Sequence, residues 1–261
     1  MSLFETPIAH AASEEGISIA LKAKPLFEVA GITVTNTLTL TILVVVILCI
    51  VGILIGKSVK KIPSKTQAFF EMIFAGALNY IEEVLESREL ALRYFPLLAT
   101  LFFFILLSNW LGIIPGIENL LFSVSHDGHS EYVHFFQPVN TDLNTPLALA
   151  FISFFVIEFA GVTALGVLKY GSKFVNFKSV MGFFVGLIEL ISELARLITF
   201  SFRLFGNMFA GKVLLTVLVF FMPLFLPVPL LAYELGVGLI QAAVFALLTL
   251  FFIKLAVSEP H

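Results

Sequence analysis

The fold of this chain is decided by residues 189–212, which have the sequence ELISELARLITFSFRLFGNMFAGK. The stretch is apolar enough to cross a membrane, yet it carries five ionisable side chains. At about 100° per residue, an α-helix places six of its polar residues on one side: Glu189, Ser192, Arg196, Thr199, Arg203 and Asn207. Because a charge at the centre of a bilayer costs roughly 2.5–3.5 kcal/mol on insertion scales, we expect this stripe to be functional.

The composition is typical of an integral membrane protein. Of the 261 residues, 59% are hydrophobic and 13% are charged, about half the usual charged share of about 25%. The mean hydropathy is +1.04. The apolar runs are continuous and reach about 20 residues, which fits membrane-spanning helices and not the alternating strands of a barrel. The single cysteine, Cys49, excludes an intramolecular disulfide and a multi-cysteine metal site.

The hydropathy pattern predicts an all-α integral membrane fold with five crossings, at residues 36–56, 95–115, 145–168, 181–221 and 230–257. They form a single transmembrane domain over residues 35–257, with an amphipathic interfacial helix at about 67–93. The penultimate helix, at up to about 40 residues, would be about 60 Å long, roughly twice the hydrocarbon thickness. We therefore expect it to tilt steeply or bend.

The basic residues predict the orientation. The first crossing is followed by Lys57, Lys60, Lys61 and Lys65, and the third by Lys169, Lys173 and Lys178. The loop 117–142 contains no lysine or arginine. By the positive-inside rule we expect an extracytoplasmic N-terminal segment at 1–34 and a cytoplasmic tail at 258–261. The first 34 residues lack the pattern of a secretory signal peptide. They also show no targeting presequence, which favours a bacterial inner membrane.

The segment RLFGNMFAG at residues 203–211 closely resembles the signature of subunit a, the stator channel subunit of rotary F-type ATP synthases, and the resemblance covers roughly residues 30–257. In that family the matching arginine faces a rotor ring of subunit c, whose mid-membrane carboxylates bind and release protons. Two aqueous half-channels meet the ring on either side of the arginine, which keeps them separate, so that proton flow turns the rotor. The resemblance therefore implies a non-catalytic proton channel subunit whose last two helices pack against the ring. Peripheral stalk subunit b, the catalytic head and membrane lipid are the other expected partners.

The resemblance also assigns individual residues. Asn207 matches the asparagine of the signature, Glu189 an acidic position on the cytoplasmic exit side, and Gln241 a glutamine that lies close to the essential arginine. Segments 109–115 and 141–145 resemble family segments around the second and third crossings. The implied proton-translocation residues are Arg203, Asn207, Gln241, Glu189, Ser192, Arg196, Thr199 and Asp142.

The chain departs from the family at a pair of positions. Lys212 stands where many bacterial members carry a glutamate, and Glu234 stands where they carry a histidine. Lys212 lies roughly 180° around the helix from Arg203. It could therefore face Glu234 and form with it a titratable pair near the outer half-channel, or extend to the outer interface. The proline that usually precedes the family arginine is also absent, with Leu197 following Arg196.

Other polar residues remain open. Glu158 lies within the third crossing and could line the outer half-channel or pair with Arg196 or Lys212. The loop histidines match no metal motif, and we interpret them as solvated residues: His126, His129 and His134.

Two other classes of function fit the sequence less well. An ion-coupled secondary transporter would also place charges inside the membrane, but the sequence shows no internal repeat. A membrane-embedded hydrolase would need a nucleophile with a base, or a metal motif, and no histidine lies in a predicted crossing.

The chain has no glycine-rich phosphate loop, so nucleotide chemistry belongs to a partner. We predict no bound cofactor, no metal site and no nucleic-acid partner. The choice between H⁺ and Na⁺ stays open.

Overall fold

The computed structural model describes residues 23–29, 31–60, 62–114, 116–117, 120–126, 129–174, 180–222, 225 and 227–258. These residues contain seven α-helices, namely α1 (Asn36–Ser58), α2 (Lys65–Leu85), α3 (Arg88–Ile113), α4 (Asn144–Leu165), α5 (Val167–Phe174), α6 (Val180–Phe221) and α7 (Pro227–Val257). Five of them, α1, α3, α4, α6 and α7, are long and apolar enough to cross a membrane. The predicted all-α membrane architecture with five crossings is confirmed.

Helix α6 is one unbroken helix of 42 residues, about 63 Å long at 1.5 Å per residue. One face is packed and buries Phe200, Leu204 and Met208. The opposite face exposes large apolar side chains such as Ile198 and Phe202. Because both faces are apolar, the helix suits a position between a protein core on one side and lipid or a membrane-embedded partner on the other.

The boundary between the predicted interfacial helix and the second crossing was wrong. The sequence was expected to form one helix over 67–93 and another from 95, whereas α2 ends at Leu85 and α3 begins at Arg88. Glu86 adopts the left-handed conformation, with φ of 55°, and so ends α2. Ser87 Oγ then accepts a hydrogen bond from Leu90 N at 3.4 Å, which caps α3. The charged residues after Ser87 therefore belong to the start of the crossing helix.

The third crossing is shorter than predicted and is followed by a separate helix. Gly166, with φ of 82°, ends α4 and leads directly into α5, so residues 167–168 lie outside the crossing helix. The side chain of Tyr170 is buried, and a Cβ placed on Gly161 would overlap its ring. The glycine thus lets α5 pack directly against α4.

Two antiparallel β-hairpins occur where no strand was predicted, one near the end of the N-terminal segment and one in the loop 117–142. Strand β1 (Pro25–Val29) pairs with β2 (Ile32–Thr35), and β3 (Leu121–His126) pairs with β4 (His129–His134). The rings of Phe27 and Phe122 join the two hairpins, with centroids 6.3 Å apart.

Of the three loop histidines, His134 is exposed. The side chains of His126 and His129 lie outside the described residues. Residues 1–22 and 259–261 of the predicted terminal segments also lie outside them.

Two hydrogen bonds attach the segment that follows the second hairpin to the start of α1. Gln137 N donates to Asn36 O at 3.2 Å, and Thr39 Oγ1 donates to Phe135 O at 2.7 Å. A short 3-10 helix, Val139–Thr141, follows the hairpin and leads into α4. This end of the bundle is therefore closed by buried polar chain segments.

The core consists of two clusters that share α3, α4 and α7. One includes α2 and contains Ile81, Leu85, Ala91, Tyr94, Leu98, Ile157, Ala160, Leu250, Ile253 and Ala256. The other includes α6 and contains Leu101, Ile105, Leu106, Leu149, Ala150, Phe200, Leu204, Met208, Ala242 and Phe245. The second cluster fixes the rotation of α6 about its axis, and thereby the direction in which its polar stripe faces.

Candidate functional site

The polar stripe of α6 lies at the border between the packed and the exposed face of the helix. Its members all fall within roughly 40° of Arg203 on the helix surface, whereas the centre of the packed face is roughly 100° away. Two members of the stripe, Glu189 and Arg196, are half-buried. The other four are exposed: Ser192, Thr199, Arg203 and Asn207.

Arg203 has an exposed side chain. Its guanidinium makes no ion pair or hydrogen bond with any residue that the structure describes. Asn207, one turn further along α6, is exposed as well and has no hydrogen-bond partner within the described part of the chain. A guanidinium stays protonated in proteins, so this cation is available to a charged group outside the chain.

The two hydroxyl groups of the stripe are bound to the helix itself. Ser192 Oγ donates to Ile188 O at 2.9 Å, and Thr199 Oγ1 donates to Ala195 O at 2.8 Å. Each hydroxyl oxygen can still accept a hydrogen bond. Both side chains can therefore line a hydrated surface without disturbing α6.

Helix α7 runs antiparallel to α6 and places Gln241 close to the level of Arg203. The rings of Phe200 and Phe245 lie 5.1 Å apart. Closer to the N-terminus of α7, the Glu234 carboxylate lies against Gly211, which is closer to the C-terminus of α6. This register puts the half-buried side chain of Gln241 level with Leu204, the residue after Arg203. The role of Gln241 in ion movement stays a prediction from the family resemblance.

Arg196 has a partner that the sequence analysis did not identify. Its Nη1 lies 2.6 Å from Glu193 Oε2, and the two side chains are only 15% and 3% exposed. The guanidinium also lies over the ring of Phe252, 3.7 Å from the centroid. Arg196 thus links α6 to α7 in addition to lying on the stripe. The i, i+3 spacing of Glu193 and Arg196 was the sequence signal for this pair.

The two residues that depart from the family pattern line one small cavity. Lys212 and Glu234 share it with Thr141 and Thr216, and its volume is about 60 Å³. A cavity of this size can hold a few water molecules where polar groups line it. The Glu234 side chain is buried, and its carboxylate occupies the space that a Cβ on Gly211 would fill.

A network of buried amides lies beside this cavity. Asn109 Nδ2 donates to Gly238 O at 3.1 Å, and Asn140 Nδ2 donates to Asn109 Oδ1 at 2.7 Å. Asn140 Oδ1, Gln137 Nε2 and Ser108 Oγ are buried and lack hydrogen-bond partners in the described part of the chain. Buried polar atoms of this kind normally bind water. The region from Ser108 to the cavity is therefore suited to hydration.

Asp142 has a local structural task. Its Oδ1 accepts hydrogen bonds from Asn144 N at 3.1 Å and from Asn144 Nδ2 at 2.9 Å, so that it holds the first residue of α4. Its side chain is buried. The role of Asp142 in ion movement stays a prediction from the family resemblance.

Glu158 contacts a residue on a different helix. Tyr170 Oη donates to Glu158 Oε2 at 3.1 Å, which joins α5 to the second half of α4. Tyr170 was not predicted as a site residue, because nothing in the sequence pattern indicates that α5 folds back onto α4. Among the described residues, no group of three or more His, Cys, Asp or Glu side chains is placed to hold a metal ion.

Comparison with known proteins agrees with this architecture. The family model described as ATP synthase A chain matches residues 37–254. The chain is 30% identical over 242 residues to "ATP synthase subunit a 2" of Bradyrhizobium sp., covering 93% of this chain and 97% of the relative. It is 34% identical over 217 residues to "ATP synthase subunit a" of Geotalea daltonii, covering 82% and 84%. The corresponding protein of Campylobacter curvus is 31% identical over 243 residues, covering 91% of this chain and all of the relative. The chain belongs to the ATP synthase subunit a family.

Proposed function

We propose that this chain is the membrane stator subunit of an F-type ATP synthase and that Arg203 separates its two aqueous half-channels. Protons would enter by one half-channel, bind to a carboxylate of the rotor ring, travel with the ring and leave by the other. The subunit is non-catalytic, since ATP chemistry belongs to the catalytic head of the complex. Its site residues hold and guide charge in the membrane.

The observation that carries the proposal is the state of Arg203. A permanent cation within a crossing helix is costly unless it meets an opposite charge or water. Arg203 is exposed and makes no ion pair or hydrogen bond with the described residues. A carboxylate presented by a neighbouring membrane subunit would satisfy it. A ring of subunit c supplies such carboxylates in turn.

The remaining polar residues fit the two half-channels on opposite sides of Arg203. In the proposed orientation, Glu189, Ser192, Arg196 and Thr199 lie on the cytoplasmic side of it. Lys212 and Glu234 lie on the outer side and line the small cavity. Asp142 lies on the same side, directly after Thr141, which lines that cavity. Asn207 and Gln241 lie near the level of Arg203. Glu158 belongs to the cytoplasmic side, since it lies towards the end of α4 that precedes α5.

Energetics favour a rotor over a simple pore. One elementary charge that crosses 100 mV releases about 2.3 kcal/mol. Several protons are therefore needed for one ATP, and a ring that adds up successive steps can supply them. The barrier formed by Arg203 ensures that each proton takes the route around the ring.

The proposal includes partners and location. We place the chain in a bacterial inner membrane with the N-terminus outside and the C-terminus in the cytoplasm. The exposed arginine face of α6 would contact the subunit c ring, and α2 would contact peripheral stalk subunit b. The apolar residues exposed on α1, such as Ile50, Ile53 and Leu54, would face lipid.

The proposal is tested by ATP-driven acidification of inverted membrane vesicles that contain the assembled complex. We expect the Arg203→Ala variant to assemble and to lose proton pumping. Undiminished pumping would overturn the role of Arg203. If vesicles with the native chain show no pumping linked to ATP, the ion-coupled transporter becomes the better interpretation.

A further inference from the structure

The α6 stripe contains two arginines, and their surroundings differ. Arg203 is exposed and makes no ion pair or hydrogen bond with the described residues. Arg196 lies seven residues earlier, about 10 Å along the helix and within about 20° of Arg203 around it. Its side chain is only 15% exposed. Two cations that share one face of α6 are therefore presented to the outside in different ways.

Glu193 accounts for this difference. It lies on the packed face of α6, in line with Phe200 and Leu204, and is 2% exposed. Its Oε2 lies 2.6 Å from Arg196 Nη1, so the contact draws the guanidinium away from the exposed face. A buried carboxylate is costly in a membrane bundle, and apolar residues of similar volume often stabilise a protein as well or better. Packing alone therefore does not require a glutamate at this position.

The ring of Phe252 on α7 holds the guanidinium of Arg196 as well. The guanidinium carbon lies 3.7 Å from the ring centroid, and a cation is attracted to the face of an aromatic ring. The Phe252 ring also packs on Phe200, with centroids 5.6 Å apart, and contacts both core clusters. Arg196 is thus bound to side chains that the core keeps in place.

We propose that Glu193 neutralises Arg196 and thereby leaves Arg203 as the one stripe cation that is open to a carboxylate of the rotor ring. The inference rests on the proposed function, because the number of open cations matters only if ring carboxylates pass along the stripe. Glu193 is then a positioning residue. It sets where on α6 a ring carboxylate is held, without touching that carboxylate.

A second open guanidinium on this face would act against rotation. It would lie about 10 Å from Arg203, towards the cytoplasmic end of the stripe in the proposed orientation. Opposite charges attract strongly in a medium of low dielectric constant, so a passing ring carboxylate would form an ion pair there. It would have to leave this ion pair before it could bind a proton again, and the ring would pause at each step.

The test uses Glu193→Gln, which keeps the size of the side chain and removes its charge, in inverted vesicles that contain the complete synthase. We expect ATP-driven acidification per assembled complex to be at least about tenfold slower, which corresponds to about 1.4 kcal/mol in the barrier of the slow step. The double variant Glu193→Gln/Arg196→Gln should recover most of the lost rate. Glu82→Gln is the matched control, because it breaks an exposed ion pair with Arg88 that has the same length of 2.6 Å. It should pump normally.

ATP hydrolysis in the same vesicles separates a held ring from a loosened subunit. A held ring slows the whole rotor, so we expect hydrolysis to fall together with pumping in Glu193→Gln. Hydrolysis that continues without pumping would overturn the inference and leave the Glu193–Arg196 pair a structural contact. Native pumping by Glu193→Gln would also overturn it, as would a double variant that pumps as slowly as the single one.

A second variant tests the inference without breaking the ion pair. Thr199 is an exposed member of the stripe, and Thr199→Lys adds an open cation there while Glu193 and Arg196 stay native. We expect it to pump at least about tenfold more slowly than Thr199→Gln, in which the new side chain is uncharged. Equal rates in these two variants would contradict the inference, even if Glu193→Gln failed to assemble.

The Arg203→Ala variant in the same experiment separates this inference from the proposed function. If Arg203→Ala loses pumping while Glu193→Gln pumps normally, the neutralising role of Glu193 fails and the proposed function stands. If Arg203→Ala pumps normally, the proposed function fails, and the role of Glu193 fails with it.

Discussion

The carboxylate of Glu234 lies against the backbone of α6 at Gly211, and the absence of a side chain there makes this contact possible. Gly211 belongs to the RLFGNMFAG segment, and its role follows from the space that the neighbouring helix needs. Glu234 in turn lines the small cavity that it shares with Lys212. A change of one methyl group at Gly211 therefore acts directly on the group that we assign to the outer half-channel.

We predict that Gly211→Ala displaces the Glu234 carboxylate and slows proton pumping. Its Cβ would overlap the carboxylate, and overpacking of this kind costs about 1–3 kcal/mol. The effect is measured as ATP-driven acidification per assembled complex. Gly52→Ala on α1 is the control, since a Cβ there meets nothing within 4 Å. Equal pumping by both variants would show that the position of Glu234 is unimportant.

At the scale of the elements, α6 and α7 are joined along their length by different kinds of contact. Aromatic packing of Phe200 on Phe245 and Phe252 lies between the Arg196 contact at one end and the Gly211–Glu234 contact at the other. At the Arg196 contact, the carboxylate of Glu193 neutralises the charge of the Arg196 guanidinium. The rotation of α6, and therefore the direction of Arg203, depends on this set of contacts.

We predict that Glu193→Gln destabilises the subunit more than the double variant Glu193→Gln/Arg196→Gln does. The single change leaves Arg196 charged without its partner at a site where both side chains are mostly buried. Breaking one side of a buried pair costs roughly 3–5 kcal/mol, whereas removing both charges costs less. The measurement is a double-mutant cycle on the thermal stability of the purified complex. Strictly additive effects would contradict a direct interaction between the two side chains.

The elements also show how far the sequence could be interpreted. The crossings and the stripe of α6 were predictable, because hydropathy and helical spacing are local properties of the chain. The junction of α2 and α3 was not, because one left-handed residue, Glu86, divides a stretch whose charge pattern continues on both sides. Tyr170 was missed because its contact with Glu158 depends on how α5 packs on α4. The cavity around Glu234 likewise depends on contacts among residues far apart in sequence.

At the scale of the whole molecule, one face of α6 is packed and the other exposes large apolar side chains around Arg203. The helix is long enough, at about 63 Å, to follow a partner across the membrane at a steep angle. The β-hairpins and buried amides close one end of the bundle, and α5 lies at the other. This arrangement fits a stator subunit that ions can enter separately from each side of the membrane.

We predict that the hairpin end faces outward and the end of α7 faces the cytoplasm. In a Cys49→Ser background, a membrane-impermeant maleimide should label Tyr132→Cys in intact cells from which the outer membrane has been removed. Ser258→Cys should be labelled only in inverted vesicles. Both positions are exposed. The opposite pattern would contradict the orientation that the distribution of lysines indicates.

The proposed separation of two half-channels by Arg203 is tested most directly in vesicles with the reconstituted complex under an imposed proton gradient. Lys254→Ala serves as the control, because it also removes one cation from a crossing helix but lies in the last turn of α7. With Arg203→Ala, we expect ATP synthesis to fall to background while protons still leak through the complex. The control should make ATP at close to the native rate. ATP synthesis by Arg203→Ala at the native rate would show that Arg203 is not the barrier.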